Sequence, residues 1–106
     1  MLDTSFLALS DPTRRAIMAR LALGEATVGD LAQPFAISQP AVSQHLKVLE
    51  NAGLILRRVD GPRRPCRLAP QGLNQLESWL ADLRRVMEVN YNRLDNLLAT
   101  MPKHGD

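Results

Sequence analysis

Two groups of side chains in this sequence have the chemistry to grip an extended anion. The first is a hydrogen-bonding run: Ser38, Gln39, Ser43, Gln44 and His45, with Pro40 and Lys47 among them. Val42, Leu46 and Leu49 fall at i, i+4 and i+7, the inner face of a helix, and turn Gln39, Ser43, Gln44 and Lys47 outward. That outer face is polar and almost uncharged. A glutamine amide can bond an adenine edge in two places, and short hydroxyls suit phosphates and base edges alike. The second group is Arg58, Arg63, Arg64 and Arg67, placed around a turn signal at Asp60-Gly61-Pro62. Guanidinium groups on a hairpin reach phosphates or an adjacent minor groove. Together the two groups fit double-stranded DNA, one reading base edges and the other neutralising the backbone.

Catalysis lacks its parts. The chain has two histidines, one of them (His104) in the C-terminal tail. There is no Ser-His-Asp or Cys-His arrangement, no glycine loop to cradle phosphate and no metal cluster. The expectation is a protein that is not an enzyme and uses no cofactor. Cys66 is the only cysteine. It forms no internal disulfide, and a thiolate zinc cluster is nearly excluded. It is either an ordinary buried residue of the hairpin or a redox or ligand site that no second cysteine in the chain could resolve. Nothing marks an effector.

The elements that must position these groups can be read from caps and spacing. Leu2 to Leu9 reads as a short helix with Leu2, Phe6 and Leu9 on its apolar side. Ser10-Asp11-Pro12 starts a second helix, because Ser or Asp accepts free amide hydrogens and Pro suits the first turn. It should run to about Leu23, bury Ala16, Ile17, Met18 and Leu21, and stop at Gly24. Thr27-Val28-Gly29-Asp30 is a weaker capping-box start. The helix that follows, about 28–35, should bury Val28, Leu31 and Ala32 or Phe35, with Pro34 ending its regular part. Ala36 and Ile37 turn the chain. Ser38 caps the next helix, which runs to Ala52 and stops at Gly53. A strand over 54–59 and a return strand over 65–68 make a hairpin, with Pro65 marking an edge and Arg63 and Arg64 near the tip. A short helix, a tight turn, a capped helix and a basic hairpin make a winged helix-turn-helix, mainly α with a small β wing.

From Pro70 one long helix extends to about Leu98 or Met101. Leu73, Leu76, Leu80, Leu83, Met87, Asn90, Leu94, Leu97 and Met101 recur at alternating steps of three and four. Such a helix is roughly 45 Å long, more than so small a domain can cover. Part of its seam should therefore meet a second copy. The expected dimer interface is Leu76, Trp79, Leu80, Leu83, Met87, Asn90, Tyr91 and Leu94, joined by Phe6 and Leu9, with Asn90 fixing register.

Length and charge agree with this reading. The 106 residues fit one domain, 1–106, with 70–101 as its dimerisation helix. No apolar run approaches the roughly 18 residues of a membrane span. The start, Met1-Leu2-Asp3-Thr4, carries no basic leader, so cytoplasmic residence is expected. Net charge is +2, but residues 38–67 hold six bases against two acids, net +4, and the flanking segments are each net −1. A focused basic segment implies a polyanion partner.

At this point the motifs resemble a known family. Ser10-Asp11-Pro12-Thr13-Arg14-Arg15, the run Ile37-Ser38-Gln39-Pro40-Ala41-Val42-Ser43-Gln44-His45-Leu46-Lys47-Val48-Leu49, and Ala52-Gly53-Leu54-Ile55 are similar to the ArsR family of winged-helix transcriptional regulators. The similarity covers about residues 4–70, and the final helix fits that family's dimerisation helix. The resemblance implies a homodimer on a palindromic operator, usually a repressor released by a signal. It places DNA contacts on Ser38, Gln39, Ser43, Gln44 and His45, assisted by the hairpin arginines. His45 is either a phosphate donor or a packing residue. Arg14 and Arg15 either touch DNA or pair with acids.

One departure is pronounced. The family's metal-binding pattern Glu-Leu-Cys-Val-Cys-Asp-Leu aligns with Glu25-Ala26-Thr27-Val28-Gly29-Asp30-Leu31, so both thiolates are gone. Gly has no ligand atom and Thr is a poor ligand for soft metals. The last helix carries Asp82, Glu88 and Asp95 without a histidine, so these acids, like Arg84, Arg85 and Arg93, read as solvated charge. No metal site is expected. The competing reading is a winged-helix module that binds protein and has lost DNA.

Overall fold

The computed structural model describes residues 2–100, apart from the Thr100 side chain. The elements follow in the order α1 (Leu2–Ala8), α2 (Pro12–Leu21), α3 (Val28–Phe35), α4 (Gln39–Asn51), β1 (Ile55–Arg57), β2 (Cys66–Leu68) and α5 (Pro70–Thr100). The chain divides into two compact units, one ending at Leu76 and the other beginning at Glu77. Met101, expected to close the long seam, and His104 lie outside the described residues.

Local chemistry sets the helix starts. The Asp11 side chain accepts from the Arg14 amide at the head of α2. At α3 both halves of the capping box close: Thr27 Oγ1 accepts from the Asp30 amide at 3.2 Å, and the Asp30 carboxylate accepts from the Thr27 amide at 3.0 Å. Ser38 Oγ accepts from the Ala41 amide at the head of α4.

The ends depart from expectation in small ways. α2 stops at Leu21, two residues early, because Leu23 is 85% exposed and has no core contact to keep it helical. α3 runs through Pro34 to Phe35, since a proline there removes only one backbone bond from the last turn. Ala36 follows in the left-handed region at φ 54°, and the Ile37 amide reaches back to the Ala32 carbonyl. The strands are shorter than 54–59 and 65–68. Pairing is antiparallel with Ile55 opposite Leu68, Leu56 opposite Arg67 and Arg57 opposite Cys66. Pro65 has no N–H to extend the ladder. Beyond β1 the hairpin is held by the Arg58 amide on the Pro65 carbonyl and by a bridge between Asp60 and Arg63.

The core of the first unit is Ile17, Leu21, Leu31, Val42, Leu46, Leu49, Leu54, Ile55 and Cys66, with Ala8, Met18 and Ala26 around them. Val28 and Phe35 pack partly buried against it. Ala16 is only half-buried, unlike the rest of the expected α2 stripe. The inner face of α1 differs from the expectation. It buries Ser5 and Ala8, while Phe6 stays exposed and Leu9 packs partly buried against the core. The first turns of α5 belong to this unit as well. Leu73 and Leu76 pack on the core, and Gly72 lies so near the α4–β1 turn that a Cβ there would stand 2.1 Å from the Gly53 carbonyl oxygen.

In the second unit α5 continues as regular helix, with Trp79, Leu80, Leu83, Met87, Tyr91 and Leu94 all exposed. Leu76 thus packs partly buried against the first unit's core, and the expected seam from Trp79 onward is exposed.

Candidate nucleic-acid interface

The head of α4 presents Gln39, Pro40, Ser43, Gln44 and Lys47 to solvent. Their outward direction follows from the burial of Val42, Leu46 and Leu49 on the opposite side. Ser38 is exposed too, but its oxygen serves as the helix cap. His45 is half-buried, with Nδ1 3.4 Å from Nη1 of Arg14. A guanidinium only donates, so this ring nitrogen is the acceptor.

A groove of about 400 Å³ separates α4 from the wing. It is lined by Thr27, Val28 and Gly29 at the head of α3, Ser43 of α4, Arg57 of β1, and Pro62, Arg63 and Arg64 of the wing tip. The structure thus brings Ser43, Arg63 and Arg64 to one place. It sets two other predicted arginines apart. Arg67, opposite Leu56 in the hairpin, borders a different hollow with Gly53 and Gln71. Arg58 is occupied: its Nε and Nη2 both donate to the Glu25 carboxylate at 3.0 Å, and Asp60 lies 3.9 Å away. The hydrogen bonds from Arg58 hold the Glu25 carboxyl below its usual range, and Glu25 in turn raises the guanidinium.

Arg57 enters the groove without having been singled out from the sequence. It is half-buried, its Nε is sealed from solvent with no hydrogen-bond partner, and the Glu50 carboxylate stands 3.8 Å away. The available signal was alternation, since neighbours on a strand face opposite sides. Arg57 and Arg58 could not both serve the same face.

Arg14 and Arg15 take up a role that neither reading from the sequence named. Arg14 Nε donates to the Ala8 carbonyl at 2.6 Å and Nη2 to Leu7 at 3.3 Å, while Arg15 Nη1 donates to Leu9 at 2.7 Å. These are carbonyls at the C-terminal end of α1, which a helix leaves without internal partners. The Arg14 amide, bonded to Asp11, keeps that carboxyl below its ordinary range. Thr27 does the same for Asp30 through its amide and hydroxyl. Thr27 Oγ1 is thus engaged in the cap at the first position that carries cysteine in the metal-binding pattern. Among the described residues no three His, Cys, Asp or Glu side chains gather in a way that could hold a metal ion. Cys66 is fully buried in β2, and burial pushes its thiol pKa up.

A capped helix with a polar outer face, a tight turn before it and an arginine-tipped hairpin beside it define a winged helix-turn-helix DNA-binding protein. The profile of the "Bacterial regulatory protein, arsR family" matches residues 11–56. Over 78 residues the chain is 51% identical to the HTH-type transcriptional regulator Rv2034 of Mycobacterium tuberculosis, covering 74% of this chain and 73% of that protein. It is 46% identical over 54 residues to the transcriptional repressor SdpR of Bacillus subtilis, covering 51% of this chain and 60% of the other. The solution structure of the homodimeric winged helix-turn-helix DNA-binding domain of Mb0332 from Mycobacterium bovis superposes with a TM-score of 0.66 at 25% identity, covering 79% and 78% of the two chains. The protein belongs to the arsR family of bacterial regulatory proteins, a family of transcriptional regulators and not of enzymes.

Proposed function

We propose that the protein is a homodimeric, sequence-specific repressor that binds a palindromic operator in the cytoplasm through one winged-helix module per subunit. The observation that carries this is the groove where Ser43 of α4 faces Arg63 and Arg64 of the wing. Base choice falls to Gln39, Ser43 and Gln44, whose amides and hydroxyls stand free of the core. Ser38, Pro40, His45 and Lys47 flank them at the backbone, and Arg63, Arg64 and Arg67 neutralise phosphates. The seam of α5, chiefly Trp79, Leu80, Leu83, Met87, Asn90, Tyr91 and Leu94, with Phe6 of α1, joins the two subunits. That pairing sets two α4 helices about 34 Å apart, one turn of DNA. The homodimeric Mb0332 domain and the repressor SdpR support both halves of the reading.

We also propose that release of DNA does not run through metal at the position of the family's cysteine pair. Gly29 brings no ligand atom, and Thr27 is used in the cap of α3. Footprinting on the protein's own promoter region tests the reading. Two protected half-sites one helical turn apart, unaffected by arsenite or zinc, are expected. Absence of protection at low ionic strength would overturn the DNA-binding reading, and release by arsenite would overturn the second proposal.

A further inference from the structure

The wing is a poor scaffold taken alone. Its strands are three residues each, and an isolated two-stranded hairpin is marginally stable in water. Burial of Ile55 and Cys66 anchors its base, and the loop between α2 and α3 holds it further. Ala26 exchanges backbone hydrogen bonds with Cys66 of β2, at 3.1 and 2.8 Å. Its neighbour Glu25 receives the two bonds of Arg58, one residue past the end of β1. Two consecutive loop residues therefore hold both sides of the hairpin. A hollow of about 150 Å³ lies between them, lined by Glu25, Asp30, Arg58, Asp60 and Arg63 among others. Arg63 borders this hollow and also the groove facing α4.

We propose that Glu25 and Arg58 are positioning residues for DNA binding: their fork aims the wing so that Arg63 and Arg64 meet the phosphate backbone, and neither residue contacts DNA. The proposal rests on the DNA-binding reading above. Arg58 had every appearance of a phosphate ligand in the sequence, yet two of its donors are turned toward a carboxylate. The pair is half-exposed, and such pairs add little to global stability. A bidentate guanidinium–carboxylate contact does fix direction. Its value lies in geometry, by removing the cost of ordering the wing when DNA arrives.

The sign of one substitution separates this role from simple electrostatics. Glu25→Ala removes a negative charge near the basic groove, so electrostatics alone predicts tighter DNA binding. The clamp predicts weaker binding, by about three- to tenfold, on both a promoter duplex and a mixed-sequence duplex. It also predicts faster amide hydrogen exchange over residues 58–65 in the free protein, with the thermal midpoint little changed. The charge-swapped double variant Glu25→Arg, Arg58→Glu restores the pair at unchanged net charge and should recover exchange protection and most of the affinity. Unaltered exchange in Glu25→Ala overturns the clamp. Faster exchange with equal or tighter DNA binding overturns its role in recognition. Should the unaltered protein ignore both duplexes, the DNA-binding reading itself fails, while the exchange measurement still decides whether Glu25 and Arg58 hold the wing.

Discussion

A glutamine on an outward helix face is worth more than its contact area, because its amide fits one base edge and leaves others unpaired. Replacing Gln39 or Gln44 with alanine should cost about 1–3 kcal/mol on the operator and little on unrelated DNA. Competition between operator and mixed duplex measures this, and an unchanged preference would remove that residue from base readout. The role proposed for the wing arginines is different. Arg63→Ala with Arg64→Ala should weaken binding to all sequences alike and flatten the salt dependence, by about 0.9 per lost phosphate contact in the log–log slope. A slope equal to that of the unaltered protein would deny them a phosphate role. Gly72 matters for space alone. Its Cβ would meet the backbone of Gly53 and Leu54, which cannot swing aside as a side chain can. Gly72→Ala should lower unfolding free energy by about 1–3 kcal/mol, read by urea denaturation. The glutamines were legible from residue type and helical spacing. Gly72 was not, because its neighbour across the contact lies nineteen positions back in the chain.

Among the elements, the starts of α2 and α3 and the loop between them shape the acid response. Asp11, Glu25 and Asp30 all have carboxyl groups held below their ordinary values, by the Arg14 amide, the Arg58 guanidinium and the Thr27 amide and hydroxyl respectively. A carboxyl whose pKa is lower folded than unfolded favours the fold above its unfolded value, about 4. That contribution disappears as pH falls through the folded value. The thermal midpoint should therefore hold steady near neutrality and fall once pH drops below about 4. Asp11→Asn keeps a good helix cap but removes one titrating group. It should leave the midpoint at pH 7 nearly unchanged and shrink the loss at pH 3; an unchanged acid loss would exclude Asp11 as a contributor. The starts of α2, α3 and α4 could be read from the sequence because capping spans three residues. The ends were less legible. α2 stops early where Leu23 finds no core, and the hairpin ladder shortens at Pro65.

For the molecule as a whole, the open seam of α5 governs the proposed pairing. Leu80, Leu83, Met87 and Leu94 are all 45–53% exposed in the single chain. Burying such a side chain is worth about 1.5–3 kcal/mol when complete. Leu83→Glu with Met87→Glu places charge in the middle of the seam and should raise the dimer dissociation constant at least about a hundredfold, nearly 3 kcal/mol. Sedimentation measures the association, and operator affinity should fall with it while the helical circular dichroism of the first unit persists. A variant that sediments like the unaltered protein would place the subunit contact elsewhere.

What the sequence determined alone is what short-range rules decide. Caps, turn residues and helical spacing act over a few positions, so the order of elements, the polar face of α4, the basic wing and the heptad seam were all readable in it. Tertiary structure decided how the charged side chains are used. Arg58 turns to Glu25, thirty-three positions away, and Arg14 stands beside His45, thirty-one away. Arg14 and Arg15 close the end of α1, and Arg57 lines the groove in place of Arg58. A guanidinium on a long flexible stem satisfies whichever acceptor the fold brings within 3 Å, and that acceptor is set by packing between distant segments.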